Sequence, residues 1–82
     1  MNIKLIKGSH TPSEAIDLAT QFIQVKIKFN ESKIDQSANE EDIKMRENRI
    51  KQLLDQLHEL KKTLKAHNGL CSIEADFLVH TN

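Results

Sequence analysis

The stretch Asp42–His67, DIKMRENRIKQLLDQLHELKKTLKAH, decides the fold of this chain. Large apolar residues recur in it at intervals of three, four and seven, the spacing of a helix that buries one narrow seam against a partner helix. The predicted seam or interface residues in this stretch are Ile43, Ile50, Leu53, Leu57, Leu60 and Leu64. The pattern predicts a helix over residues 39–67, and it contains no catalytic or ligand-binding motif.

A first helix is predicted over residues 12–34. Thr11 and Glu14 have the spacing of a capping box, and Pro12 suits the first helical position. Two apolar stripes follow side by side: Ala15, Leu18, Ala19, Phe22, Val25 and Phe29 in one, and Ile16, Ile23, Ile27 and Ile34 in the other. Phe22 and Phe29 are candidate seam or interface residues, and they share the seven-residue register of the later helix, which a single continuous helix would keep. Two stripes indicate a helix that is covered on more than one side.

The connection between the helices leaves two architectures open. Residues 35–42 contain no large apolar side chain, and Ser37 with Glu40 has the spacing of a second capping box. However, no Gly or Pro occurs between Pro12 and Gly69, so one continuous helix over residues 12–67 in an oligomeric coiled coil is the alternative. A helical hairpin is favoured, because the polar gap coincides with the cap.

Two short strands flank the helices. Residues 2–7 alternate apart from Ile6 and end at Gly8, and residues 71–79 alternate strictly. The later strand is predicted to place Cys71, Ile73, Ala75, Phe77 and Val79 on one face, of which Ile73, Phe77 and Val79 are candidate face or edge contacts. Gly69 is expected to end the helix before it, with Leu70 folding back onto Leu64.

The resulting prediction is a single α+β domain over residues 1–82 with the order β-α-α-β. An antiparallel helical hairpin is expected to pack on a small antiparallel two-stranded sheet, with Lys4 opposite Glu74 or Asp76. One seam does not offset the entropy lost in ordering a long helix, and a two-stranded sheet with open edges is marginal alone. We therefore expect a homodimer.

Composition restricts the function classes. Twelve Lys and Arg balance twelve Asp and Glu, so no net charge draws the chain to nucleic acid or to anionic lipid. One cysteine makes no internal disulfide, which suits a reducing compartment. No signal-peptide core and no membrane span is recognisable, so a cytoplasmic location is expected.

No residue stands out as catalytic, cofactor-binding or metal-binding. Cys71 with His67 or His80 resembles a nucleophile and base, but the strand pattern directs Cys71 into the apolar face, where a thiol stays inert. The four histidines lack metal-ligand spacing. Two glycines provide no phosphate-binding loop.

The function expected from these features is a small non-catalytic interaction or regulatory module that acts as a homo-oligomer. Its contact surfaces would be the hairpin flank, the tip around residues 34–45 and the edge strand, used toward a second copy or another protein. The alternative is a nucleic-acid-associated protein that uses Lys61, Lys62 and Lys65. A third possibility is an enzyme whose site forms across a dimer interface.

Overall fold

The computed structural model describes residues 1–82 and confirms the β-α-α-β order. Strand β1 spans Asn2–His10, helix α1 Pro12–Gln36, helix α2 Glu40–Lys65 and strand β2 Cys71–Leu78. The two helices pack as an antiparallel hairpin, and β1 pairs antiparallel with β2 in a two-stranded sheet. The α+β class is therefore confirmed.

The start of α1 has the predicted capping box. The Glu14 amide donates to Thr11 Oγ1 over 3.1 Å, and the Thr11 amide donates to Glu14 Oε1 over 2.9 Å. Pro12 occupies the first turn, where its missing N–H costs nothing. Two of the free amides at this helix end are thereby satisfied.

The chain reverses over Ser37–Asn39, so the continuous helix over residues 12–67 is ruled out. The residue that caps α2 is Asn39, whose Oδ1 accepts from the amides of Glu41 and Asp42. Ser37, expected to begin the second capping box, ends α1 instead, and its Oγ accepts from the Asn39 amide over 3.2 Å. Asn is as favourable as Ser at the N-cap of a helix, because its side-chain oxygen also accepts hydrogen bonds from the free amides of the first turn.

The helices meet along one stripe from each. All six seam residues predicted in α2 are buried or half-buried, with Leu57 the most buried. In α1 the stripe that faces α2 contains Ile16, Ile23, Ile27, Asn30 and Ile34. Phe22 and Phe29, the candidate seam or interface residues of α1, are exposed and lie outside this seam. The heptad register continues from α1 into α2 only in one unbroken helix. Because the chain reverses between them, the seam positions of α2 do not determine which stripe of α1 faces α2.

Helix α2 ends at Lys65, two residues before the predicted end. Its C-cap is Ala66, and the His67 amide donates to the Leu64 carbonyl over 3.1 Å. Gly69 adopts a positive φ of 96°, but in the loop that follows and not at the cap. Leu70 is well exposed, so it does not fold back over the last helical turn.

Strand β1 contains an irregularity that explains its imperfect alternation. Ile3 pairs with Phe77, Lys4 with Asp76 and Ile6 with Ala75, which leaves Leu5 as an extra residue of the β-bulge type. The bulge returns Ile6 to the face that Ile3 occupies. The strand also continues to His10 through Gly8, which has a φ of 145° that only glycine adopts without strain.

The sheet has an apolar face and a charged face. Paired residues on the apolar face are Ile3 with Phe77, Ile6 with Ala75, Gly8 with Ile73 and His10 with Cys71. On the other face Lys4 lies opposite Asp76, as predicted, and Lys7 lies opposite Glu74. The lysine and carboxylate groups do not approach within ion-pair distance. The cross-strand charges therefore favour the register without fixing side-chain positions.

The core is very small for a chain of this length. Only Ala15, Asn30 and Leu57 are buried, and the Cα atoms span 47 × 31 × 14 Å. Many large apolar side chains remain exposed on the resulting thin shape. Neither helix contains an apolar stretch of the length that crossing a bilayer demands.

Candidate functional site

An apolar groove between α1 and the end of β2 is the most distinctive surface of the molecule. It encloses about 420 Å³ and is lined by Phe22, Val25, Lys26, Phe29 and Phe77. Val25 is 68% exposed and Phe77 is 55% exposed, so the groove is open to solvent along its length. We name these five residues the aromatic groove.

Helical geometry places the aromatic groove outside the interhelical seam, with the Phe29 end nearest to α2. Phe22, Val25 and Phe29 recur at intervals of three and four, so they lie on one side of α1. The isoleucine stripe of α1 faces α2, which turns Val25 directly away from the hairpin. Phe77 reaches the groove because it lies on the apolar face of β2. The sheet therefore covers only one flank of this side of α1.

Three cations surround the ring of Phe29. Lys26 Nζ lies 4.7 Å from the ring centroid, Lys33 Nζ lies 5.6 Å away, and the Arg46 guanidinium carbon lies 5.8 Å away. The first two come from the same helix as Phe29, whereas Arg46 comes from α2. Contacts of this kind stabilise a cation over the ring face. One end of the aromatic groove is therefore positively charged.

A buried polar contact joins the helices beside Phe29. Asn30 is 1% exposed; its Nδ2 donates to the Lys26 carbonyl over 2.9 Å, and its Oδ1 accepts from Arg46 Nη1 over 3.2 Å. Arg46 Nε is buried and lies 3.8 Å from Asp42 Oδ1, but it donates no hydrogen bond. Both polar atoms of the Asn30 amide therefore have a partner, and Oδ1 holds the Arg46 side chain in place.

A second concavity adjoins this contact on the same side of the hairpin. It encloses about 250 Å³ and is lined by Lys26, Asn30, Met45, Arg46 and Arg49. Lys26 also lines the aromatic groove, so the two surfaces are continuous. We name this concavity the cationic cleft, because three of its five residues are positively charged.

The predicted nucleic-acid residues lie together at the other end of α2. Lys61, Lys62 and Lys65 surround a concavity of about 340 Å³ with His58. No acidic residue lines it, and no aromatic ring is present to stack a base. The lysines are exposed or half-buried and lie on consecutive turns of one helix.

Cys71 and the histidines form no recognisable catalytic arrangement. The Cys71 thiol donates to the main-chain oxygen of His10, its cross-strand neighbour, over 3.4 Å. His67 contacts the Leu70 carbonyl through Nε2 at 3.2 Å. No group of three His, Cys, Asp or Glu side chains is placed to hold a metal ion.

One carboxyl group has a shifted pKa. The hydrogen bond from the Thr11 amide is the main cause that holds the pKa of Glu14 below its ordinary value, assisted by the Thr11 hydroxyl and by the charge of His10. This shift belongs to the helix cap and not to a reactive site.

The structure brings together some of the residues predicted from the sequence and adds others. Phe22, Phe29 and Phe77 meet in the aromatic groove, whereas Ile73 is half-buried on the sheet and Val79 lies just beyond β2. Asn30 and Arg46 were not expected to meet. Both residues occupy seam positions of their helices. A polar residue at a seam position of each helix was the sequence feature that could have predicted their contact.

Compared with known protein families, with curated proteins and with solved structures, this chain shows no match.

Proposed function

We propose that this protein is a small non-catalytic interaction module that acts in the cytoplasm as a homodimer. The observation that supports this proposal is the open aromatic groove in a chain with only three buried residues. Large apolar side chains that cluster on a surface are typical of an interface. Covering Val25 and Phe77 in a dimer would supply apolar burial that the single chain lacks.

Charge complementarity favours a second copy of this chain as the occupant. Asp17 and Lys28 are both exposed and lie about three helical turns apart on the same flank of α1, beside Val25. If two α1 helices pair antiparallel along this flank, about the midpoint between Asp17 and Lys28, Asp17 of each copy lies opposite Lys28 of the other. A two-fold axis at this point makes the contact isologous, the arrangement of most homodimers.

Edge-to-edge pairing of the sheets is a less suitable route to a dimer. Glu74 and Asp76 lie two residues apart on the same face of β2. Two antiparallel copies of this strand would therefore bring carboxylates opposite each other. Strand β1 has Lys4, Lys7 and the bulge at Leu5, features that protect an edge from pairing. The face of α1 has no such obstacle.

Sedimentation equilibrium of the full chain tests the proposal. We expect a dimer at about 10–100 µM, the concentration range in which a modest interface associates. Val25→Glu should give a monomer, because it places a charge at the centre of the groove. Leu54→Glu, at a leucine of α2 that is 51% exposed, should leave the dimer intact.

A charge exchange locates the interface. Asp17→Lys and Lys28→Asp should each weaken association, because each creates a like-charge pair across the two-fold axis, and the double exchange should restore it. A monomeric wild type, or a dimer that is indifferent to Val25→Glu, would overturn the proposal.

The grouping of Lys61, Lys62 and Lys65 around one concavity favours nucleic-acid binding as a second candidate function. Fluorescence anisotropy with a labelled single-stranded RNA, measured over a salt series, tests it. Affinity should fall steeply with salt and should be lost in the variant in which all three lysines become Glu. Absence of binding at 50 mM salt would exclude this candidate.

A further inference from the structure

The cationic cleft has a charge excess that the packing of the hairpin does not require. Lys26, Arg46 and Arg49 line it together, and Asp42 is the one carboxylate within ion-pair distance of any of them. The Asn30–Arg46 contact accounts for Arg46 as a polar link between the helices. It does not account for two further cations from different helices that face the same small space.

Arg46 is held in one orientation before any ligand arrives. Its Nη1 is fixed by the buried Asn30, and its guanidinium lies beside the Phe29 ring. No hydrogen bond in the structure uses Nη2. A planar guanidinium that is already oriented loses little freedom when it binds an oxygen anion, and it presents donors in a geometry that suits carboxylate and phosphate.

The size of the cleft limits the ligand. A volume of about 250 Å³ lies below the usual range of drug-sized pockets, so it suits a single anionic group with a small substituent. Lys26 and Arg49 are exposed and neither makes an ion pair, so both charges are available to such a group while Lys26 stays over the Phe29 ring. Met45 is the one apolar wall.

We propose that the cationic cleft binds an oxyanion group of the phosphate or carboxylate type. In this site Arg46 supplies oriented donors, while Lys26 and Arg49 supply charge from the two helices. The same chemistry is offered by a free small anion and by an anionic group on a larger ligand. Lys26 is the one residue that the cleft shares with the aromatic groove, whereas Arg46 and Arg49 lie on α2 outside that groove.

The test is an NMR titration of the full chain labelled with ¹⁵N. Inorganic phosphate, sulfate and acetate are added separately, with sodium chloride at matched ionic strength as the reference. We expect saturable amide shifts at residues 26, 30, 45, 46 and 49, with a Kd of about 1 mM, as a few charge-assisted hydrogen bonds provide. Saturation by acetate would identify a carboxylate site, whereas saturation by phosphate and sulfate alone would identify a phosphate-type site.

Two substitutions distinguish specific binding in the cationic cleft from nonspecific attraction to positive charge. Arg49→Gln should weaken binding roughly tenfold, because it removes a charged donor from the cleft. Lys51→Gln removes the same charge two residues away on the opposite side of α2 and should leave Kd unchanged. Linear shifts that match the chloride reference, or equal losses in the two variants, would overturn the proposal. Both residues are exposed, and circular dichroism verifies that each variant is folded.

Discussion

Arg46 of α2 donates a hydrogen bond from Nη1 to Oδ1 of Asn30 in α1, and Asn30 is among the three buried residues of the chain. No other hydrogen bond between side chains joins the two helices. A shift of one helix by a turn would separate Arg46 from Asn30 and leave the buried Oδ1 of Asn30 without a donor, while Nδ2 would keep the Lys26 carbonyl. The pair therefore favours one register of the hairpin at some cost in stability, as single polar residues do in coiled coils.

Asn30→Ala should lower the free energy of unfolding by about 1–3 kcal/mol, because Arg46 loses its buried acceptor. Urea denaturation followed by circular dichroism measures the change. The exposed Gln24→Ala in the same helix is the control and should shift stability by less than about 0.5 kcal/mol.

Replacing both partners should cost less than replacing one. In Asn30→Leu with Arg46→Leu the polar pair becomes apolar, and such exchanges of buried polar pairs are often neutral or stabilising. A double-mutant cycle should show a coupling of about 0.5–3 kcal/mol between the two positions. Strict additivity of the single changes would contradict a specific Asn30–Arg46 interaction.

Leu57→Ala should destabilise the chain by about 2–5 kcal/mol, because Leu57 lies in the seam at 8% exposure and its removal leaves a cavity. Leu54→Ala makes the same chemical change three residues earlier, at 51% exposure, and should cost less than about 0.5 kcal/mol. Thermal unfolding of both variants measures the difference. Equal losses would mean that Leu54 is covered as well.

Acid should weaken the start of α1 through Glu14. The Thr11 amide holds the pKa of Glu14 below its ordinary value of 4.5, so the stabilisation is present above that pH and is lost as pH falls through the lowered pKa. Glu14→Gln keeps an acceptor but does not titrate. The stability advantage of wild type over Glu14→Gln should therefore disappear on acidification, which urea midpoints from pH 7 to pH 2.5 reveal. A difference that is independent of pH would exclude the cap as its source.

Deleting Leu5 should leave the sheet intact. Leu5 is the extra residue of β1, so its removal joins Lys4 to Ile6 and keeps both Ile3 and Ile6 on the apolar face. Deleting Asp76 from the regular strand β2 should instead unfold the sheet, because a shift of one residue turns Phe77 to the charged face. Far-ultraviolet circular dichroism and thermal midpoints compare the two deletions; loss of structure in both would contradict the assignment of the bulge.

The sequence predicted most of the architecture, because its signals are local. Thr11 and Glu14 identify the first cap, and the alternation after Cys71 identifies β2. The polar residues before Asp42 identify the reversal, although they did not reveal that Asn39 is the cap. The strict spacing of leucines in α2 correctly located its apolar face.

The position of the aromatic groove depends on the direction in which the chain reverses between α1 and α2. Phe22 and Phe29 repeat at seven residues just as the α2 seam does, so periodicity alone did not distinguish the two apolar stripes of α1. Only the geometry of the turn over Ser37–Asn39 determines that the isoleucine stripe meets α2. The contact between Asn30 and Arg46 has the same origin, since their spacing in the sequence becomes meaningful only after the register of the hairpin is known.

The pairing of Met1 with Val79 makes the chain nearly a closed ring. The Met1 amino group donates to the Val79 carbonyl over 3.0 Å, and the Val79 amide donates to the Met1 carbonyl over 2.8 Å. Sheet formation therefore requires the closure of almost the whole chain, which slows folding. A circular permutant with a short glycine linker from Asn82 to Met1 and new termini at Ala38 would convert the sheet into a local hairpin, and this permutant should fold faster than the original chain to the same structure.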